Sequence, residues 1–255
     1  MFTLTEPPPL LEELGAGDDE TAARASLWLA RAHTRKGDSY AVAAEALGEA
    51  VAKFKDSTVT DDLQFDYANA LMARDDPDWK TALELLQGIE ARGSFPQMAE
   101  VLSQRAVCQH KLGDYAGSLA SNDAFLGKHP DHALAANARF MRAENLFLLN
   151  RLDEAAVAYG EFGAKHADNS SAQAANYRLA QIHHDQGRWA ECLAIAGPML
   201  ATQPEGRLYA QLPFLVGDCE FRLEKWPEAI KSLQEFVTPR LESEKGRAEP
   251  NVDTA

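Results

Sequence analysis

From about residue 22 onward, apolar residues recur at helical spacing, and turn-forming clusters interrupt them at regular intervals. Four of these clusters stand 37 residues apart without a gap: Leu112-Gly113-Asp114-Tyr115, Leu149-Asn150-Arg151-Leu152, Gln186-Gly187-Arg188-Trp189 and Leu223-Glu224-Lys225-Trp226. A helix-period stretch precedes each turn and a second one follows it. Three places after the bulky turn residue comes a small one: Ser118, Ala155, Cys192 or Ala229. Seven further on stands a larger one: Phe125, Phe162, Met199 or Phe236. The first stretch carries its own small residue seven before the turn glycine or its equivalent: Ala106, Ala143, Ala180 or Gly217. Small residues at facing positions let two antiparallel helices touch, and the larger ones fill the space beside them. The pattern therefore predicts a helical hairpin in every unit.

A fifth copy lies upstream at an offset of 36, with Ala70, Trp79, Ala82, Leu86 and Ile89. A sixth, looser copy has Leu29, Ala30, Gly37-Asp38, Tyr40, Ala43, Leu47 and Ala50. The predicted array runs from about 22 to 237, in units at 22–58, 62–92, 99–130, 136–167, 173–204 and 210–237. Before it, residues 1–21 hold three consecutive prolines and an acidic cluster. They read as an extended lead-in, with Asp18 to Thr21 capping the first helix. After it, residues 238–255 carry two prolines and many charges, which reads as a disordered tail.

The repeat resembles the tetratricopeptide repeat, a helix–turn–helix unit of about 34 residues. Gly113, Asp114, Tyr115, Phe125 and Pro130 carry that likeness, and Pro204 stands where a later unit ends. Ala167 replaces the terminal proline between them. The family's helix-A tryptophan is replaced by Leu102, Arg139, Asn176 and Pro213. The three extra residues per unit fall between hairpins, where Pro130 and Asp131 break one helix and can cap the next. That spacing, with an alanine-rich first helix, resembles repeats of bacterial envelope proteins of the Tol-Pal-associated and outer-membrane-assembly type. The resemblance implies an all-α, right-handed superhelical solenoid of about six hairpins.

Composition explains the packing style. The chain has 255 residues, of which 44 are alanine and 8% aromatic. Alanine favours helix and allows close helix contact. The net charge of −14 repels phosphate backbones, so nucleic acid and anionic membrane are excluded as general partners. No apolar run is long enough to span a membrane. Cys108, Cys192 and Cys219 fit neither a disulfide framework nor a zinc site and read as buried thiols. Those thiols and the absence of a basic–apolar start lean towards the cytoplasm. The envelope-type spacing leans towards the periplasm if the chain is a trimmed fragment.

The resemblance also implies where a partner would sit. In such arrays the first helix of each hairpin lines the concave face. Carried over residue by residue, one groove position holds Tyr67, Ser103, Phe140, Tyr177 and Phe214. A second holds Arg74, His110, Phe147, His184 and Phe221, and a third Leu71, Val107, Glu144, Gln181 and Asp218. The expected partner-binding set is Tyr67, Phe140, Glu144, Phe147, Tyr177, Gln181, His184, Phe214, Asp218 and Phe221. Aromatic rings supply large contact area at low entropic cost. Ser103, Val107 and Glu144 stand where a clamp for acidic tails needs Lys and Asn, so the expected partner is a neutral or basic peptide with apolar anchors.

Other chemistry finds little support. His129 and His132 straddle a proline turn, and the adjacent His183 and His184 diverge by about 100° on a helix. Neither pair has the spacing of two helix-borne metal ligands. No phosphate loop, nucleophile elbow or two-histidine zinc motif is present. The expected function is a non-catalytic scaffold without a cofactor. The alternatives are a self-associating structural protein or the repeat portion of a larger regulator.

Overall fold

A computed structural model describes residues 16–35, 40–202 and 209–248. The lead-in before residue 16, the turn at Gly37-Asp38, Pro204 and residues 249–255 lie outside the described residues. The described residues are all-α. They form α1 Glu20–Arg35, α2 Tyr40–Lys53, α3 Thr60–Ala73, α4 Trp79–Arg92, α5 Met98–Lys111 and α6 Tyr115–Lys128. Then follow α7 Ala135–Leu148, α8 Leu152–Lys165, α9 Ala172–Asp185, α10 Trp189–Thr202, α11 Leu212–Arg222 and α12 Trp226–Ala248.

The chain divides into two compact units, one ending at Ala138 and the other starting at Arg139. Within the first, α1 to α6 pack each on the next, and α1 also touches α3. Within the second, α8 to α12 do the same, and α9 touches α11. This is the packing of an α-solenoid, in which a helix meets its hairpin partner and the equivalent helix of the next hairpin.

The small residues form the helix contacts. Ala106, Ala143, Ala180, Ser118, Ala155 and Cys192 are all fully buried, and Phe125 and Phe162 beside them are too. At Gly217 a Cβ would stand 2.7 Å from Leu233 Cγ, so α11 and α12 approach more closely than alanine allows.

The turns share one backbone conformation. Gly113, Asn150, Gly187 and Glu224, each 37 residues after the last, all have positive φ, from 58° to 80°. In each turn this residue's N–H donates to the carbonyl three back and the next N–H to the carbonyl five back, as in Gly187 to His184 and Arg188 to His183. The left-handed residue thereby satisfies the last carbonyls of the helix. Asp114 then accepts from the Gly117 N–H and starts α6.

Two expectations change. Asp131 does not cap α7: the helix begins at Ala135, and His132 Nδ1 accepts the Leu134 N–H at 3.2 Å. The imidazole is held there by edge contact with Phe125. The tail is the second change, because α12 continues to Ala248. Residues 238–248 are poor in apolar groups and hold Pro239 and Gly246, but Leu, Glu, Lys, Arg and Ala among them favour helix. Pro239 and the many charges, which read as disorder, do not end the helix.

Candidate functional site

Nine of the ten expected partner-binding residues lie in the second unit, on α7, α9 and α11. Tyr67, on α3 of the first unit, is half-buried with its hydroxyl over Gly48 of α2, where a Cβ would meet it at 3.0 Å. It packs α3 against α2 and keeps part of its side chain in solvent.

Seven of the nine fall into three groups. Tyr177 and Phe140 are packing residues. Tyr177 is only 2% exposed and meets the Tyr209 ring edge-on at 5.4 Å. Tyr209 belongs to the segment leading into α11, so this connection covers the position. Phe140 is half-buried and meets Phe162 at 5.4 Å and Tyr159 at 6.3 Å, both on α8. Tyr177 is thereby withdrawn from the surface, whereas Phe140 keeps partial exposure beside its α8 contacts.

Glu144, Phe147 and Gln181 form the second group around Arg178. The guanidinium lies 4.8 Å over the Phe147 ring, 3.4 Å from Glu144 and 3.1 Å from the Gln181 side-chain oxygen. Tyr159 donates its hydroxyl to the same Glu144 oxygen. Burial first, and then the Glu144 charge, push the Tyr159 phenol above its ordinary range, so it stays protonated as a donor. The side chains of Arg178 and Glu144 keep 25% and 20% exposure, so the cluster reaches solvent.

His184 and Asp218 form the third group. Nε2 of His184 is 2.9 Å from an Asp218 oxygen, linking α9 to α11. The other Asp218 oxygen is 3.6 Å from Arg222, whose guanidinium lies 5.4 Å over the Trp189 ring. His184 itself meets Trp189 edge-on at 5.1 Å. Phe214 and Phe221 differ from all of these, being 41% and 50% exposed.

The two polar clusters repeat one geometry. Glu144 reaches Arg178, and His184 reaches Asp218, each across 34 residues. Arg178 and Arg222 escaped the sequence reading, which placed Trp189 only as a turn residue. Arg178 stands one place after the assigned groove residue Tyr177, and no other unit has a cation at its 37-residue equivalents, which are Gln104, Met141 and Leu215. A side chain without periodic counterparts leaves no signal in a repeat alignment.

The remaining singled-out residues are structural. His129 and His132 pack on Phe125 at 5.6 and 5.8 Å. All three cysteines are free and buried. Cys108 contacts the Met72 sulfur at 3.4 Å, and burial pushes its thiol up to about 12. A hydrogen bond shared with Cys219, together with burial, pushes the Cys192 thiol up as well. No helix among the described residues is long and apolar enough to cross a membrane.

No family model matches the sequence, and no curated protein matches it. Solved structures do share the fold. A tetratricopeptide repeat protein from Parabacteroides merdae is 16% identical, with a TM-score of 0.62 over 85% of this chain and 79% of its own. PilF of Pseudomonas aeruginosa is 13% identical, with a TM-score of 0.60 over 90% of this chain and 98% of its own. NprR in complex with its cognate peptide NprX is 14% identical, with a TM-score of 0.55 over 93% of this chain and 72% of its own. At such identities the likeness establishes a tetratricopeptide-like fold.

Proposed function

We propose that the chain is a non-catalytic scaffold that holds a peptide or a segment of a partner protein along α7, α9 and α11 of the second unit. The observation that carries this reading is the line of partly exposed polar groups these helices present together. Glu144, Gln181 and Asp218 are equivalent positions, and each is fixed by a neighbour: Arg178, Arg178 and His184. Fixed side chains lose little freedom on binding, so a ligand is met by a surface already arranged for it.

The chemistry suits a partner rich in hydrogen-bond donors. Glu144 and Asp218 offer carboxylate lone pairs beyond those their neighbours occupy. Phe147 and Phe221 supply apolar area beside them. Extended peptides with neutral or basic residues match this pattern, and the net charge of −14 attracts them at long range. That NprR was solved with a peptide bound to a similar fold supports the class of ligand. A place in a bacterial envelope assembly is the finer form of the proposal and rests on the repeat spacing.

The test is affinity capture from source-cell lysate, comparing the full chain with Phe147→Ala/Gln181→Ala. Both side chains are half-buried on the presented face, so the fold should persist. Loss of a captured protein in the double variant, with unchanged far-UV circular dichroism, is expected. An identical captured set would remove this face as the binding site.

A further inference from the structure

The outer side of α12 carries four large apolar residues in the open: Trp226 at 49%, Ile230 at 59%, Val237 at 43% and Leu241 at 51% exposure. At 100° per residue they lie within an arc of about 60° and form one stripe. The stripe continues onto α11, because Phe221 meets Trp226 edge-on at 5.2 Å. One repeat earlier, the equivalents Trp189, Leu193 and Leu200 are half-buried. The exposed stripe is therefore a surface that elsewhere in the chain another hairpin helps to cover.

We propose that this stripe is covered by the same stripe of a second copy, with the two α12 helices antiparallel about a two-fold axis beside Leu233 and Gln234. The reason lies in the spacing. The four residues are separated by four, seven and four positions, which reads the same in both directions. In an antiparallel pair centred between 233 and 234, Trp226 of one copy faces Leu241 of the other, and Ile230 faces Val237. Every apolar residue meets an apolar residue, as a two-fold interface demands. An unrelated partner helix would place no such requirement on the spacing.

Lys231 and Glu235 are both exposed but stand about 110° and about 150° round the helix from the centre of the stripe, so they lie outside the contact. Two copies of net charge −14 repel overall, so association should strengthen as added salt screens that repulsion. The proposal rests on α12 and is independent of ligand binding along α7, α9 and α11.

Sedimentation velocity of the full chain over a micromolar concentration series reads it directly. A monomer–dimer equilibrium is expected, and Ile230→Glu should weaken it at least about 30-fold, as loss of a central interface residue does. Ile230→Ser repeats the test without a new charge should the first variant lose helix content. Gln234→Cys, treated with oxidised glutathione, should give a disulfide-linked dimer, because position 234 lies beside the axis. Monomer at every concentration would overturn the proposal. So would a dimer indifferent to both Ile230 variants. Growth past dimer that Trp28→Ser abolishes would also overturn it, showing head-to-tail association through the opposite end, where Trp28 is 55% exposed.

Discussion

The hairpins α9–α10 and α11–α12 are two copies of one pattern, 37 residues apart, yet they hide different amounts of themselves. Tyr177 is 2% exposed and its equivalent Phe214 is 41% exposed. His184 keeps 20% of its side chain in solvent while Phe221 is 50% exposed. Arg222 lies over Trp189, whereas the equivalent Trp226 is 49% exposed. The residues are of similar size, and the later pair is if anything more apolar. What differs is the element that follows. Tyr177 is covered by Tyr209 from the next connection, and Trp189 by the last turn of α11. In a stacked repeat, burial belongs to the neighbour as much as to the residue.

The sharpest way to break this comparison is to truncate both copies of the first position. Tyr177→Ala should cost about 3–5 kcal/mol, the range for removing a buried aromatic side chain. Phe214→Ala should cost less than about 1 kcal/mol, because much of that ring is already in water. Chemical denaturation of the two variants measures both. Equal losses would mean that the neighbour does not set the burial energy.

The turns offer a smaller test in the opposite direction. Gly187 and Glu224 occupy the same left-handed turn position, at φ 72° and 60°. A side chain in that region costs about 1–2 kcal/mol, part of which glycine returns through its freer unfolded chain. Glu224→Gly should therefore stabilise the last hairpin by about 0.5–1 kcal/mol. A fall in the denaturation midpoint would show that the Glu224 side chain makes a compensating contact.

The same comparison explains what the sequence could show. The hairpins were legible because their signal is periodic: small residues at Ala106, Ala143, Ala180 and Gly217, and turns at four equal intervals. The site was legible only where it shared that period. Glu144, Gln181 and Asp218 of the candidate site stand at one repeated position in the sequence. Their partner Arg178 was missed, since it pairs with Glu144 across 34 residues and has no counterpart at 37. Tyr177 was assigned to an open face for the opposite reason. Its period is regular, but the ring that covers it, Tyr209, comes from a connection whose course no helical pattern describes. Residues 238–248 were misread because Pro239 and the run of charges were taken to end the helix, which instead continues to Ala248.

The last test uses pH at the position where the two hairpins differ most in chemistry. His183 on α9 corresponds to Glu220 on α11 and to Leu146 on α7. Its Nδ1 is buried, with no hydrogen-bond partner among the described residues. Burial, and then the charge of Arg188, hold the imidazole below its ordinary value of 6.5, against a weaker opposing pull from Glu191. The folded chain therefore keeps His183 neutral in a range where the unfolded chain has begun to take up a proton. Stability from this residue is complete above about pH 6.5 and declines as the pH falls from there towards the folded value. The carboxylates Glu20, Asp78 and Glu154 have lowered values, so they act only in more acid solution. His183→Leu, which restores the residue type of Leu146, should flatten the decline below about pH 6.5. The effect should be the smallest of the three, because His183 is only half-buried. An unchanged slope in denaturation midpoints would place the proton uptake elsewhere, and the histidine would then differ from Glu220 in packing alone.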